Sequence, residues 1–176
     1  GALDRPGRDK LLESMTDDVA DHVLAHNYDQ TLALTLAENS SRADLDAHER
    51  FMARLEGKGQ LDREVEGLPG SEQVRALKDL DQGLTRPELA VLLSYAKITL
   101  FDQLVASDVP DDGHFQTMLR NYFPDALHTY EDGMGTHRLK REIIATILAN
   151  DMINLGGPTF VHRAIDSTSA AVPTIA

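Results

Sequence analysis

The residues able to hold a metal are few and badly spaced. His22 and His26 stand four positions apart, so a helix puts them on one face with Asp18. The zinc motif H-E-x-x-H needs a glutamate after its first histidine, and position 23 is Val. The pair is therefore read as two histidines on a polar face. "HER" at His48 opens like the same motif, but position 52 is Met, so His48 is read as part of a solvated helix turn. A di-iron bundle draws on two E-x-x-H units and two further carboxylates. The nearest approach is a single Asp125-x-x-His128. Nucleotide-binding glycines are also incomplete. Gly57-x-Gly59 runs into Gln60, Leu61 and Asp62, and Gly133-x-Gly135 into Thr136, His137 and Arg138. Neither completes G-x-G-x-x-G, neither follows a strand pattern, and no Walker phosphate loop is present. No residue is assigned a catalytic, cofactor-binding or metal-binding role.

The segment "GMGTHRLKRE" carries more information. Arg138, Lys140 and Arg141 crowd the first two turns of the helix expected after Thr136. Cations oppose the dipole at that end, so an anion nearby would remove the conflict. It is either a ligand phosphate or carboxylate, or the acidic side chains of a packed neighbour. In so acidic a chain the neighbour is expected, with Asp17, Asp18 and the Asp111–Asp112 pair as candidates. Arg86 and Lys97 lie on the most apolar helix. They are read as boundary charges that snorkel or pair, the alternative being that they face a substrate carboxylate.

The positioning elements follow from apolar periodicity, which is helical throughout. Thr16 caps a helix over 16–38, with Asn27 marking a bend. A helix over 46–56 buries Phe51, Met52 and Leu55, and short helical pieces follow over 61–66 and 71–80. In "GLTRPELAVLLSYAKITLFDQLV", Thr85 and Glu88 form a capping box with Pro87 in the first turn. Leu89, Leu93, Ala96, Leu100 and Leu104 trace one face of that helix, and Val91, Ile98, Phe101 and Val105 another. A helix apolar on two faces has neighbours on both sides. Asp111 or Asp112 caps a helix to Tyr122, Pro124 opens a short piece, and "EDGMG" reads as a glycine loop. Thr136 caps a helix to Leu155 carrying Leu139, Ile143, Ile147, Leu148 and Met152. Gly156, Gly157 and Pro158 end it, and a last helix covers 159–166. The pattern predicts an all-α fold, an irregular helical bundle around a central buried helix at 85–105. One domain covers 1–167, and 168–176 is a disordered or truncated tail.

Composition bounds the function. With 176 residues and 41% hydrophobic content the chain can build one core, from Leu, Ile, Val, Ala and Met because aromatics are only 5%. The formal net charge of −12 repels a phosphate backbone, which argues against nucleic acid. Ser94, Lys97, Asp102 and Gln103 interrupt the longest apolar stretch, which falls short of a bilayer span. The chain has no Cys, so disulfides are excluded and a cytoplasmic location is expected.

Longer segments carry a resemblance. "MTDDVADHVLAHNYDQTLALTL", "HERFMARLEGKGQLD", "GLTRPELAVLLSYAKITLF", "NYFPDAL" and "HRLKREIIATILANDMINLGGPTFVHR" resemble, in order and over nearly the whole chain, the C-terminal part of the large bacterial NAD-specific glutamate dehydrogenases. The resemblance implies a piece of a very long multidomain enzyme, lying beyond its catalytic core. It implies a parent that oxidatively deaminates L-glutamate to 2-oxoglutarate and ammonia with reduction of NAD, in glutamate and arginine catabolism. It also implies a homo-oligomeric parent, and the catalytic domain of the same chain as partner. The family's catalytic lysine, aspartate and nucleotide-binding glycines would lie outside this chain, leaving it inactive alone and without a cofactor of its own. Three roles follow: a non-catalytic scaffold with an exposed apolar patch, a regulatory module with a basic pocket around Arg138, or a helical adaptor with a groove for a partner.

Overall fold

The computed structural model describes residues 3–175, and every regular element among them is helical. The two termini of the expected domain and tail, residues 1, 2 and 176, lie outside the described residues. The helices are α1 (Arg5–Ser14), α2 (Thr16–Ser40), α3 (Leu45–Gly57), α4 (Arg63–Glu66), α5 (Ser71–Asp79), α6 (Arg86–Val105), α7 (Gln116–Tyr122), α8 (Glu131–Gly135), α9 (Lys140–Gly156), α10 (Phe160–Thr168) and α11 (Val172–Ile175). Short 3-10 turns at Val109–Asp111, Gly113–Phe115 and Asp125–Tyr130 lead into α7 and α8.

Helix α6 forms the axis of the bundle and packs most extensively on α9. Leu89, Leu93, Ala96, Leu100 and Leu104 are all buried, together with Leu92. They meet Met52 and Leu55 of α3 and Ile144, Leu148 and Ile153 of α9 in one continuous core. The second face of α6 is only partly covered: Val91, Phe101 and Val105 pack against the core, whereas Ile98 is exposed. Glu88 sets the start of α6, its Oε2 accepting from the Thr85 amide at 2.6 Å and the Thr85 hydroxyl at 2.7 Å. Just before it, Gly83 lies flat on the backbone of Ser41, and a Cβ there would come within 2.6 Å of the Arg42 nitrogen. That approach lets the Ser41 hydroxyl donate to the Leu84 carbonyl at 3.0 Å and ties the end of α2 to the head of α6.

Several expectations need correction. Thr16 is not an N-cap, because α1, capped by Asp4, runs almost directly into α2, which continues without a break through Asn27. "EDGMG" is the helix α8 and not a loop: Met134 is buried, and the Thr136 hydroxyl bonds back to the Asp132 carbonyl at 3.1 Å. Thr136 therefore closes α8 instead of opening α9, which starts at Lys140 and leaves Leu139 exposed. The expected tail contains α11, with Val172 only 4% exposed. Val172 and Ile175 in so short a mixed stretch carry no helical periodicity, so only the shape of the core surface could reveal that Val172 docks there.

Candidate functional site

The three cations of the 138–141 segment share no common carboxylate among the described residues. Arg141 of α9 pairs with Asp111. It also donates from Nη2 to the Val105 carbonyl at 2.9 Å and the Ser107 carbonyl at 2.7 Å. Those two carbonyls belong to the end of α6, where the last oxygens of a helix are unsatisfied and carry partial negative charge. The cation that opposes the dipole of α9 thus serves that of α6. Arg138 and Lys140 have no carboxylate within 4.0 Å among the described residues. Arg138 precedes the helix and is exposed.

The other charges singled out by the sequence are mostly tied to neighbouring helices. Arg86 donates to Glu38 Oε2 at 2.8 Å and Thr35 Oγ1 at 3.1 Å, fastening α6 to α2. Lys97 is half-buried in a cleft lined by Gln30, Asn154, Leu34 and Leu93, and burial holds its pKa below the ordinary value. Asp18 accepts from the Asp125 amide at 3.2 Å. The Nε2 of His26 lies 2.6 Å from Nε2 of Gln30, its polar partner on the same helix. His128 contacts the Arg120 and Phe123 carbonyls at 3.0 and 3.1 Å through Nε2. Among the described residues no group of three or more His, Asp or Glu is placed to hold a metal.

Sequence reasoning missed a buried ion cluster. Arg63 is 6% exposed. It donates to Glu56 Oε2 at 2.8 Å, to Glu49 Oε2 at 2.7 Å and to the Pro69 carbonyl at 3.1 Å. Burial pushes the Glu49 carboxyl up, but hydrogen bonds from Arg63 and from Ser71 outweigh it and hold the pKa below the ordinary range. The cluster joins α3 to α4 and the loop ahead of α5. Its signal was present only as an "E-x-x-x-x-x-x-E" spacing on α3 that puts both acids on one face.

His48 is also placed differently from expectation. It is 1% exposed, on the buried face of α3, and not part of a solvated turn. Burial first, with Arg163 assisting and Asp44 opposing, lowers its pKa to about 4. The polar neighbours Glu49 and Arg50 disguised its direction: one position along a helix turns the side chain by about 100°, from solvent into the core.

The longest helix presents an apolar surface to the outside. Only Ala33 and Ala37 of α2 are buried, and α1 buries nothing. Leu24 (66% exposed), Tyr28 (68%), Leu32 and Leu36 stand at four-residue spacing along α2, with Val19 and Val23 exposed toward its start. Leu155, at the end of α9, is 87% exposed and borders the same cleft as Leu36. A helix of this length gains little from propensity alone and is stabilised by burying such a stripe.

The fold and these surfaces define a class: an all-α domain whose ion pairs mostly bind its own helices together and whose longest helix carries an exposed apolar stripe. The chain belongs to the family described as glutamate dehydrogenase, C-terminal, whose model matches residues 81–176. It is 48% identical over 97% of its length to an NAD-specific glutamate dehydrogenase of Halomonas elongata, covering 11% of that protein. It is 43% identical over 100% of its length to one of Pseudomonas aeruginosa, again covering 11%. A third, of Mycobacterium tuberculosis, is 35% identical over 93% of this chain and 10% of its own. The chain thus spans about a tenth of the length of these relatives. No helix among the described residues is long and apolar enough to cross a membrane.

Proposed function

We propose that this chain is the non-catalytic helical region of an NAD-specific glutamate dehydrogenase and packs against the catalytic body of the same longer protein. The parent would oxidise L-glutamate to 2-oxoglutarate and ammonia while reducing NAD, as a cytoplasmic homo-oligomer serving glutamate and arginine catabolism. The observation that carries the packing role is the stripe Leu24, Tyr28, Leu32 and Leu36 on α2, exposed here in a chain that matches only about a tenth of its relatives. Contiguous apolar surface of this kind marks an interface. The rest of the longer protein, its catalytic body included, is the occupant favoured, because this chain matches only about a tenth of each relative.

The test uses the full-length protein and the chain alone. The full-length protein should form NADH from glutamate and NAD, and the chain alone should not. In the full-length protein, Leu24→Ser with Tyr28→Ser and Leu32→Ser should uncouple this region, read as a separate thermal transition and faster proteolytic release. Unchanged melting and proteolysis would remove the α2 stripe from the interface. A variant that loses only its subunit association would assign the stripe to a second copy instead.

The regulatory reading draws less support, because Arg141 is committed to Asp111 and the end of α6. The adaptor reading shares the α2 surface but leaves the match to the long relatives unexplained.

A further inference from the structure

Arg50 and Arg54 on α3 and Lys58 just past its end stand four residues apart in sequence. Arg54 donates to Asp166 Oδ1 at 2.8 Å, whereas Arg50 and Lys58 have no carboxylate within 4.0 Å among the described residues. Beside Arg54 and Lys58 a cavity of about 60 Å³ lies between α3, α6, α9 and α10. Its apolar wall includes Phe51, Leu100 and Ile153, and its polar groups include Arg54, Lys58 and His162. No Asp or Glu lines it, although the chain carries 29 acidic residues against 17 Lys and Arg.

His162 is the unexplained group. It is 6% exposed, and neither ring nitrogen has a hydrogen-bond partner. Nε2 lies 3.5 Å from Asp166 Oδ2 without forming a hydrogen bond, and that carboxylate is already engaged by Arg54 through its other oxygen. A neutral imidazole has one N–H donor and one acceptor, and buried polar groups are seldom left without partners. Burial and then Arg54 push the His162 pKa down, with Arg50 and Lys58 acting the same way and only Asp166 opposing. Three cations against one carboxylate leave the local field positive in an otherwise acidic chain.

We infer that this cavity binds the oxyanion head of a small carboxylate or phosphate, with Arg54 and Lys58 meeting its charge and His162 donating to one of its oxygens. The volume is about twice the share of one water in the liquid, roughly 30 Å³. A charged head of a few heavy atoms fits, and any larger remainder stays outside the cavity. The inference is independent of the proposed packing role, since none of these residues lies on α2. It also differs from the site first expected at 138–141, where Arg141 is already satisfied.

The test is histidine side-chain NMR of the chain, titrated with sodium acetate and with sodium phosphate against sodium chloride at matched ionic strength. The His162 ring signals should move saturably with one or both oxyanions, and its apparent pKa should rise as a bound anion offsets the field of the three cations. His48, also buried but not among the residues lining the cavity, should stay still. Lys58→Met should weaken the response at least tenfold, and Arg54→Met likewise. Lys58 is exposed, so its variant carries the test if loss of the Arg54–Asp166 pair unsettles the fold. Response to acetate alone or phosphate alone would identify the head group. The inference is overturned by a drift shared with chloride, by equal movement of His48, or by an undiminished response in Lys58→Met.

Discussion

The Arg141 guanidinium, in the first turn of α9, donates to the Val105 carbonyl in the last turn of α6 at 2.9 Å. It reaches the Ser107 carbonyl at 2.7 Å with the same nitrogen and pairs with Asp111 through the other. One side chain therefore satisfies oxygens that the end of α6 cannot bond internally. It also holds α6 and α9, the two helices that share the largest interface, in register.

Arg141→Met should lower stability by about 1–3 kcal/mol, the range for leaving a buried polar group unsatisfied, since it strands carbonyls that are partly buried. Arg138→Ala should stay within about 0.5 kcal/mol, as an exposed residue outside the helix. Urea midpoints of the two variants check the contrast, and equal losses would show that the segment acts as a unit.

At the other end of α6, Thr85→Ala removes the hydroxyl bond to Glu88 and should cost about 1 kcal/mol with the fold intact. Leu93→Ala empties a buried position on the same helix and should cost about 2–5 kcal/mol. Denaturant melts in which Leu93→Ala is neutral would mean that α6 faces the other way.

Arg63→Met leaves Glu49 and Glu56 without their shared partner. The loss should be about 3 kcal/mol, at the low end for a broken buried pair because both glutamates keep some solvent contact. Calorimetric melting of Arg63→Met beside Arg63→Lys would separate charge from geometry, and Lys should recover only part because it cannot bond both carboxylates in a fork.

Stability should fall with acid through His48. Its folded pKa of about 4 lies below the unfolded value near 6.5, so between these limits the unfolded chain binds the extra proton. The contribution is complete above about pH 6.5 and is lost progressively down to about pH 4, at about 1.4 kcal/mol per pH unit. His162, also shifted down, adds to the same slope. Urea melts at pH 5 and pH 7 should differ in the chain as it stands and differ less in His48→Leu. An unaltered difference would assign the slope elsewhere.

Val172→Ala should cost about 2 kcal/mol, from two buried carbons at about 0.8 kcal/mol each plus the cavity they leave, because α11 docks that residue on the core. A chain ending at residue 167 should lose at least as much in thermal unfolding. A silent truncation would return 168–175 to the status of a loose tail.

Which residues form helices was legible in the sequence wherever local chemistry decides. The capping box at Thr85 and Glu88, the leucine spacing of α6 and the Gly157 stop, where φ is +82°, all act within one helical turn and lie where the pattern put them. An all-α bundle around α6 follows from those signals alone. The sequence also carried the family, because the matched segments run nearly the length of the chain. What tertiary structure decided was the use of each face. Val19, Val23, Leu24, Leu32 and Leu36 have the same apolar character as the leucines of α6, yet they are exposed because nothing among the described residues packs over them. His48 looks polar yet is buried, because it shares with Phe51, Met52 and Leu55 the face of α3 that the packing turns inward. The partner of Arg141 lies 36 residues away in sequence, and only the contact of α9 with the end of α6 brings a local electrostatic conflict to its resolution. Periodicity marks a surface as apolar or charged; the neighbour that covers it is set by the packing of the whole chain.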